Sequence, residues 1–266
     1  MGLLEHKVPP LFAVSVVFGM LLGMSASASA QESPLDNSPP KDITPQEIIK
    51  RFTAKEKEWK QIREQYRFQQ SVEVQELAGG DVRAEYRQVA DISYSQGKLV
   101  KNIVLAPQAS MNVTKEDLED LETRSSFTIS TDELPEYNLT YAGAQKVDEL
   151  HCYVFDVAPK KIEKGQRYFQ GRIWIDDQDF QIVKNRGKSV PDVMTGTKKK
   201  YRENLFPQFT TWRQPIDGQY WFPTYSSADD TLHFRRNDMH IKEKLRFTDY
   251  KKTGSAAQTD KKAPQQ

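Results

Sequence analysis

One cysteine, Cys152, is present in 266 residues. A single thiol cannot close a disulfide within the chain, so a cystine-stapled scaffold is excluded. Excess charge of either sign is missing too, since 38 Lys and Arg stand against 37 Asp and Glu, a formal net charge of +1. With no basic surplus to follow a phosphate backbone, a dedicated nucleic-acid binder is disfavoured and no nucleic-acid partner is expected. Histidine is scarce, and no spacing places two of them on one helical face. A Gly-rich strand-turn-helix loop for phosphate and a Gly-x-Ser-x-Gly elbow are both absent. What is present is a chain of 28% charged and 11% aromatic residues. That is too aromatic for a disordered solvating protein and too polar for a multispan membrane protein.

The N-terminus carries Lys7, an apolar run from Leu11 to Leu22 broken only by Ser15 and Gly19, and a small-residue tail ending Ala28-Ser29-Ala30. These are the parts of a secretory signal, with cleavage expected after Ala30 and Gln31 as the mature start. From Leu11 to Met24 the run has about 14 residues, short of the roughly 20 that a membrane span needs. No Cys lies near the cleavage point to accept a lipid. A soluble periplasmic monomer is expected.

Residues 31–42, with three prolines and one large apolar side chain, and residues 253–266 read as disordered tails. Between them, 43–252 has no linker-like stretch and no internal period, which suits one domain. It opens with a helix from Pro45 to about Glu64. Thr44 is its N-cap, Glu47 follows three residues later, and Ile48, Ile49, Phe52, Trp59 and Ile62 form one face. Lys50, Arg51, Lys55, Lys57, Lys60 and Arg63 occupy the other face.

After Arg63 the period turns alternating. Tyr66, Phe68, Val72 and Val74 share one parity before the turn Gly79-Gly80-Asp81, and a strand to Tyr94 completes a hairpin. Leu99 to Leu105 follows as a strand, and Thr114 with Asp117 starts a short acidic helix. Eight further strands are predicted at 139–144, 151–157, 168–176, 180–185, 208–216, 220–226, 231–234 and 239–250. Roughly eleven antiparallel strands with two helices imply a large sheet that curls.

Candidate chemistry is sparse. His233 and His240 flank a turn that would set them opposite each other, but no third metal ligand is evident. Asp176, Asp177 and Asp179 lack the spacing of a Ca²⁺ loop and fit an acidic hairpin turn. Cys152 fits a small buried hydrophobe in a strand. Lys198-Lys199-Lys200-Tyr201-Arg202 is the densest basic cluster, either a solvated loop or a contact for anionic headgroups. No catalytic residue, metal ligand or cofactor site is assigned, and the chain is read as a non-enzyme.

Tyr168-Phe169-Gln170-Gly171-Arg172-Ile173-Trp174-Ile175-Asp176, followed by Asp179-Phe180-Gln181-Ile182-Val183-Lys184, resembles the "G-x-I-W-I-D … x-I-V-(K/R)" hairpin of LolA-like outer-membrane lipoprotein-sorting proteins. Tyr141-Ala142-Gly143, Val147-Asp148-Glu149-Leu150 and Tyr153-Val154-Phe155 resemble the family's preceding hairpin, with Pro159-Lys160 at its strand end. Phe209-Thr210-Thr211, Ile216-Asp217-Gly218-Gln219-Tyr220-Trp221-Phe222-Pro223 and Phe247-Thr248-Asp249-Tyr250-Lys251 resemble its C-terminal hairpins. The likeness spans about residues 44–252, is strongest from 139 onward, and is closest to a variant subgroup.

The resemblance implies a mainly β fold with helices, a half-open, strongly curved LolA/LolB-like barrel whose helices cover the concave side. It implies a noncatalytic periplasmic carrier that shields the acyl chains of lipoproteins or other lipids. An inner-membrane transporter and an outer-membrane acceptor would then be its docking partners. A sensor on the same fold, binding lipoproteins and a partner protein, is the alternative. The residues expected to line a lipid cavity, or else to pack a core, are Ile48, Ile49, Phe52, Trp59, Ile62, Tyr66, Phe68, Tyr153, Phe155, Ile173 and Ile175.

Overall fold

Local signals at two threonines start the two helices. In α1 (Pro45–Ile62) the Thr44 hydroxyl accepts the Glu47 amide at 3.2 Å, and Pro45 supplies a preset first-turn backbone. In α2 (Lys115–Ser126) the capping box is complete, with the Asp117 amide donating to Thr114 and the Thr114 amide to the Asp117 carboxylate at 2.8 Å. Each cap contributes about 1 kcal/mol. A 3₁₀ turn, Arg63–Gln65, leads from α1 into the first strand.

The computed structural model describes residues 32–195, 201–203, 206–234 and 237–253. The expected signal segment, Lys198 to Lys200 and all but the first residue of the expected C-terminal tail lie outside the described residues. The strands are β1 (Tyr66–Ala78), β2 (Asp81–Ser95), β3 (Lys98–Leu105), β4 (Tyr137–Val147), β5 (Leu150–Pro159), β6 (Tyr168–Asp176), β7 (Ile182–Val190), β8 (Val193–Thr195), β9 (Tyr201–Glu203), β10 (Phe209–Ile216), β11 (Tyr220–His233) and β12 (Asp238–Lys252). Ten of them form one curved antiparallel sheet in the order β3-β2-β1-β12-β11-β10-β7-β6-β5-β4. The sheet is not closed, so the fold is mainly β and half-open, with β3 and β4 at its ends.

Twelve strands among the described residues agree with the roughly eleven expected, while individual segments differ. The segments 220–226 and 231–234 are one continuous strand, β11. Asp229 and Asp230 do not break it, because Asp229 meets His240 Nε2 at 2.6 Å across the ladder and Asp230 accepts the Gln208 amide at 2.8 Å. β8 and β9 form a separate two-stranded pair and are too short to show a period. Phe180, expected at a strand start, lies in the preceding turn with φ +58°, and the strand begins at Ile182.

Both helices pack on the same face of the sheet. Strand parity divides the apolar residues accordingly, since β5 turns Phe155 and Val157 toward α1 and sends Cys152 and Val154 to the outer face with Trp174 and Val183.

The N-terminal segment also departs from expectation. Composition predicts disorder over residues 31–42, yet Asp36 bridges Ala144 on the free side of β4, with amide-to-carbonyl distances of 2.8 and 2.7 Å, and the Ser33 amide donates to the Lys146 carbonyl at 3.1 Å. Backbone pairing needs no apolar side chains, so composition does not report it. Gly143 makes the approach possible: its φ is +146°, and a Cβ there would fall 2.3 Å from the Asp36 carbonyl oxygen. Gly143→Ala should lift the segment off β4. Hydrogen exchange at the Asp36 and Ala144 amides is then expected to accelerate on the order of tenfold or more while β6 stays protected. Unchanged protection at Asp36 and Ala144 would contradict this account of the segment.

Candidate functional site

The inner face of the sheet, under the two helices, gathers all eleven residues expected to line a cavity, in three clusters. Ile48 and Phe52 of α1 are fully buried with Phe155, Ile173 and Ile175, while Ile49 and Tyr153 pack at the margin. Phe52 and Phe155 ring centroids lie 6.2 Å apart. Trp59 and Tyr66 meet Phe222 at 5.9 and 4.8 Å, with Ile62 beside them. Phe68 belongs to a third cluster beneath α2, with Val72, Val74, Leu121, Ile241 and Leu245.

Charges interrupt this apolar layer at two points. Glu56 lies on α1 between Phe52 and Trp59, and its carboxylate accepts Arg213 Nη1 of β10 at 2.9 and 3.2 Å, both side chains being 1% exposed. Arg213 also donates to the Phe127 carbonyl at 2.6 Å and stacks over Trp59 at 4.5 Å. Under α2, Arg124 pairs with Asp120 at 2.8 Å and with Glu243 of β12 at 2.6 Å, and lies 4.5 Å over the Phe209 ring. The Ser189 hydroxyl donates to Asp120. One guanidinium thus faces two buried carboxylates. Burial pushes the Glu243 carboxyl up, against the opposing pull of Arg124. Burial alone would lower Arg124, but Glu243 and Asp120 together hold it raised and charged.

Beside this second cluster α2 and the loop before it roof a cleft of about 320 Å³, walled by Val74, Met111, Leu121, Leu232, Met239 and Ile241 and, on its polar side, by the acids Glu76, Asp117, Asp120 and Glu243. None of the eleven expected residues lines it. The sequence signals it only in part. Val74 and Ile241 alternate visibly, whereas Met111 sits in a loop and Leu121 on a helix dominated by acids. The charged pairs were also missed, although Glu56, Arg213 and Glu243 each occupy an inward position of an otherwise apolar pattern.

The other candidate groups are dispersed. His240 pairs across the ladder with Thr231, and His233 with Asp238, so the two imidazoles are not opposite each other as expected. His233 Nδ1 lies 3.0 Å from Asp238. Pairing on β12 already begins at Asp238, two residues before His240. Asp176 accepts the amides of Gln178 and Asp179, and Asp179 accepts Trp221 Nε1 at 2.8 Å, so the acidic turn ties β6 to β11. Among the described residues no group of three or more His, Cys, Asp or Glu is arranged to hold a metal. Cys152 is buried, and burial, with Asp176 and Asp177 nearby, pushes its thiol up to about 12.

The two charged sites should respond differently to loss of an acid. Glu56→Gln strips Arg213 of the one carboxylate within ion-pair distance among the described residues. It should cost about 3–5 kcal/mol in urea unfolding. Glu243→Gln leaves Arg124 paired with Asp120. The folded carboxyl at 243 holds its proton more tightly than the unfolded one, so its contribution is fully present below the ordinary carboxylate range and is lost as pH rises through its raised value. The stability advantage of wild type over Glu243→Gln should therefore shrink as pH rises above the ordinary carboxylate range. An advantage that grows with pH would contradict the assignment.

No protein-family model and no curated protein sequence matches the chain. Solved structures similar to it include a DUF1329 family protein from Desulfovibrio piger, at 13% identity over 78% of this chain and 94% of that one, TM-score 0.38. A LolA superfamily protein from Nitrosomonas europaea is 16% identical over 79% and 93%, TM-score 0.35. A domain from Vibrio parahaemolyticus named for outer membrane lipoprotein sorting is 12% identical over 80% and 96%, TM-score 0.36. At these scores the likeness is one of outline only.

Proposed function

We propose that the chain is a noncatalytic periplasmic carrier, exported with a cleaved signal, that shields acyl chains of a lipoprotein or other lipid against the inner face of its sheet. The observation that supports this reading is the cleft under α2, whose apolar wall of Val74, Met111, Leu121, Leu232, Met239 and Ile241 faces a rim of acids, Glu76, Asp117, Asp120 and Glu243, beside a helix held to the sheet partly through charge. Its 320 Å³ lies at the lower end of the roughly 300–1,000 Å³ typical of ligand pockets. That is room for part of one chain.

Each methylene taken from water contributes about 0.8 kcal/mol, so even a short length of acyl chain has reason to enter. Met111 and Met239 give the wall unbranched, adaptable side chains, which suit a ligand that must also leave. Further length would require the helices to shift. The apolar faces beneath α1, including Phe52, Phe155, Ile173 and Ile175, would then become lining. Where such movement brought the ion pairs into water, the hydration regained would offset much of the attraction lost. Among the described residues no helix is long and apolar enough to cross a membrane. Lipid would thus be exchanged with a donor and an acceptor at the two membranes.

Filling the cleft tests the reading. Ala84 lines it from β2 and is half-buried, so Ala84→Trp places an indole in the space with little disturbance elsewhere. A fluorescent fatty-acyl probe should bind wild type and bind the variant at least about tenfold more weakly, equivalent to about 1.4 kcal/mol, with no fall in Tm. Equal binding by both proteins would overturn the assignment of the cleft.

A further inference from the structure

The outer face of the sheet, opposite the helices, carries a second and chemically different site. Arg172 of β6 and Arg186 of β7 are direct cross-strand partners on this face. Like charges so placed repel unless something neutralises them. Asp156 neutralises one, accepting Arg172 Nε at 2.8 Å and Nη2 at 3.1 Å. Arg186 is exposed and has no ion-pair or hydrogen-bond partner among the described residues. Its neighbours along β7, Lys184 and Lys188, are already committed to Glu32 and Asp192.

Both arginines open into a cleft of about 560 Å³, whose wall also carries the Asp156 and Glu32 carboxylates, paired with Arg172 and Lys184 respectively. Around them stand Asn138, Thr140, Gln170 and Gln208, all exposed and with no side-chain hydrogen bond among the described residues. Trp174 forms the floor, its indole N–H held by Gln145 at 2.6 Å. On the far side of Arg186 lies Trp212, stacked on Tyr225 with ring centroids 5.5 Å apart and both rings partly exposed. Because Trp212 faces Lys184 and Thr210 faces Arg186, the indole is a diagonal neighbour of that guanidinium.

From this juxtaposition we infer that the outer-face cleft binds a sugar bearing an anionic group. The Arg186 fork and the remaining N–H groups of Arg172 take the phosphate or carboxylate. The amide and hydroxyl side chains are the donors and acceptors that a polyol requires. Just outside the cleft's lining, on the β10 side of Arg186, the Trp212–Tyr225 pair offers an apolar ring face for a pyranose to pack on. Nothing in this site is shared with the cleft under α2, so it stands whether or not acyl chains bind there.

NMR titration of the full mature chain with glucose 6-phosphate, glucuronate, glucose and inorganic phosphate tests the inference. The two anionic sugars should shift the indole N–H of Trp212 and the Nε–H of Arg186, and glucose 6-phosphate should bind at least about tenfold more tightly than glucose or inorganic phosphate. Arg186→Gln, at an exposed and unpaired position, should keep the wild-type Tm and lose that binding. Trp212→Ala should weaken the sugar phosphate but not inorganic phosphate. Equal binding of phosphate and sugar phosphate, indifferent to Trp212, would reduce the site to an adventitious anion contact and overturn the inference, as would no binding at all. Ala84→Trp should leave every one of these shifts intact, which separates this site from the inner-face reading.

Discussion

A charge taken into an apolar layer is tolerated only beside its counter-charge, and the pairing of Glu56 with Arg213 is the contact on which the inner face depends. Ile48, Phe52 and Trp59 would hold α1 against almost any apolar surface, because burial is non-directional. Glu56 meets its partner in one position alone. The pair therefore fixes where α1 sits, and Arg213 extends that control to the Phe127 carbonyl just beyond α2. Arg124 does the same for α2, reaching from the helix to Glu243 on β12. Replacing such pairs with apolar residues of similar volume is often neutral or stabilising, so their presence points to placement of the helices rather than to maximal stability.

Strand parity separates two chemistries. Inward positions of β1, β5, β6 and β12 carry the apolar residues that the helices cover, and outward positions of β6, β7 and β10 carry arginines, amides and partly exposed rings. Because side chains alternate along each strand, one run such as Arg172-Ile173-Trp174-Ile175 serves both faces. The β4 edge is covered in part by the chain's own residues 33–36.

The elements were legible where a local signal and a period coincided. The caps at Thr44 and Thr114, the turn after Ala78 and the alternation from Tyr66 to Val74 all placed their elements within a few residues. What was not legible required pairing information. Asp229 and Asp230 look like a strand break until His240 and Gln208 are seen opposite them. Residues 33–36 look disordered because their contacts are made by backbone groups. At the site, alternation identified the inward apolar residues, but not that α1 already covers most of them, nor that a cleft lies under α2. Glu56, Arg213 and Glu243 were the available clue, charges at inward positions whose partners lie far away in the chain.

The central claim is that the inner face holds acyl chains. Native mass spectrometry of the protein isolated gently from its own cells tests this most directly. The account predicts a fraction of the protein carrying a bound species with the mass of an acyl lipid or lipoprotein, released on collisional activation to leave the bare chain. Protein that appears only as the bare chain at every collision energy would contradict it.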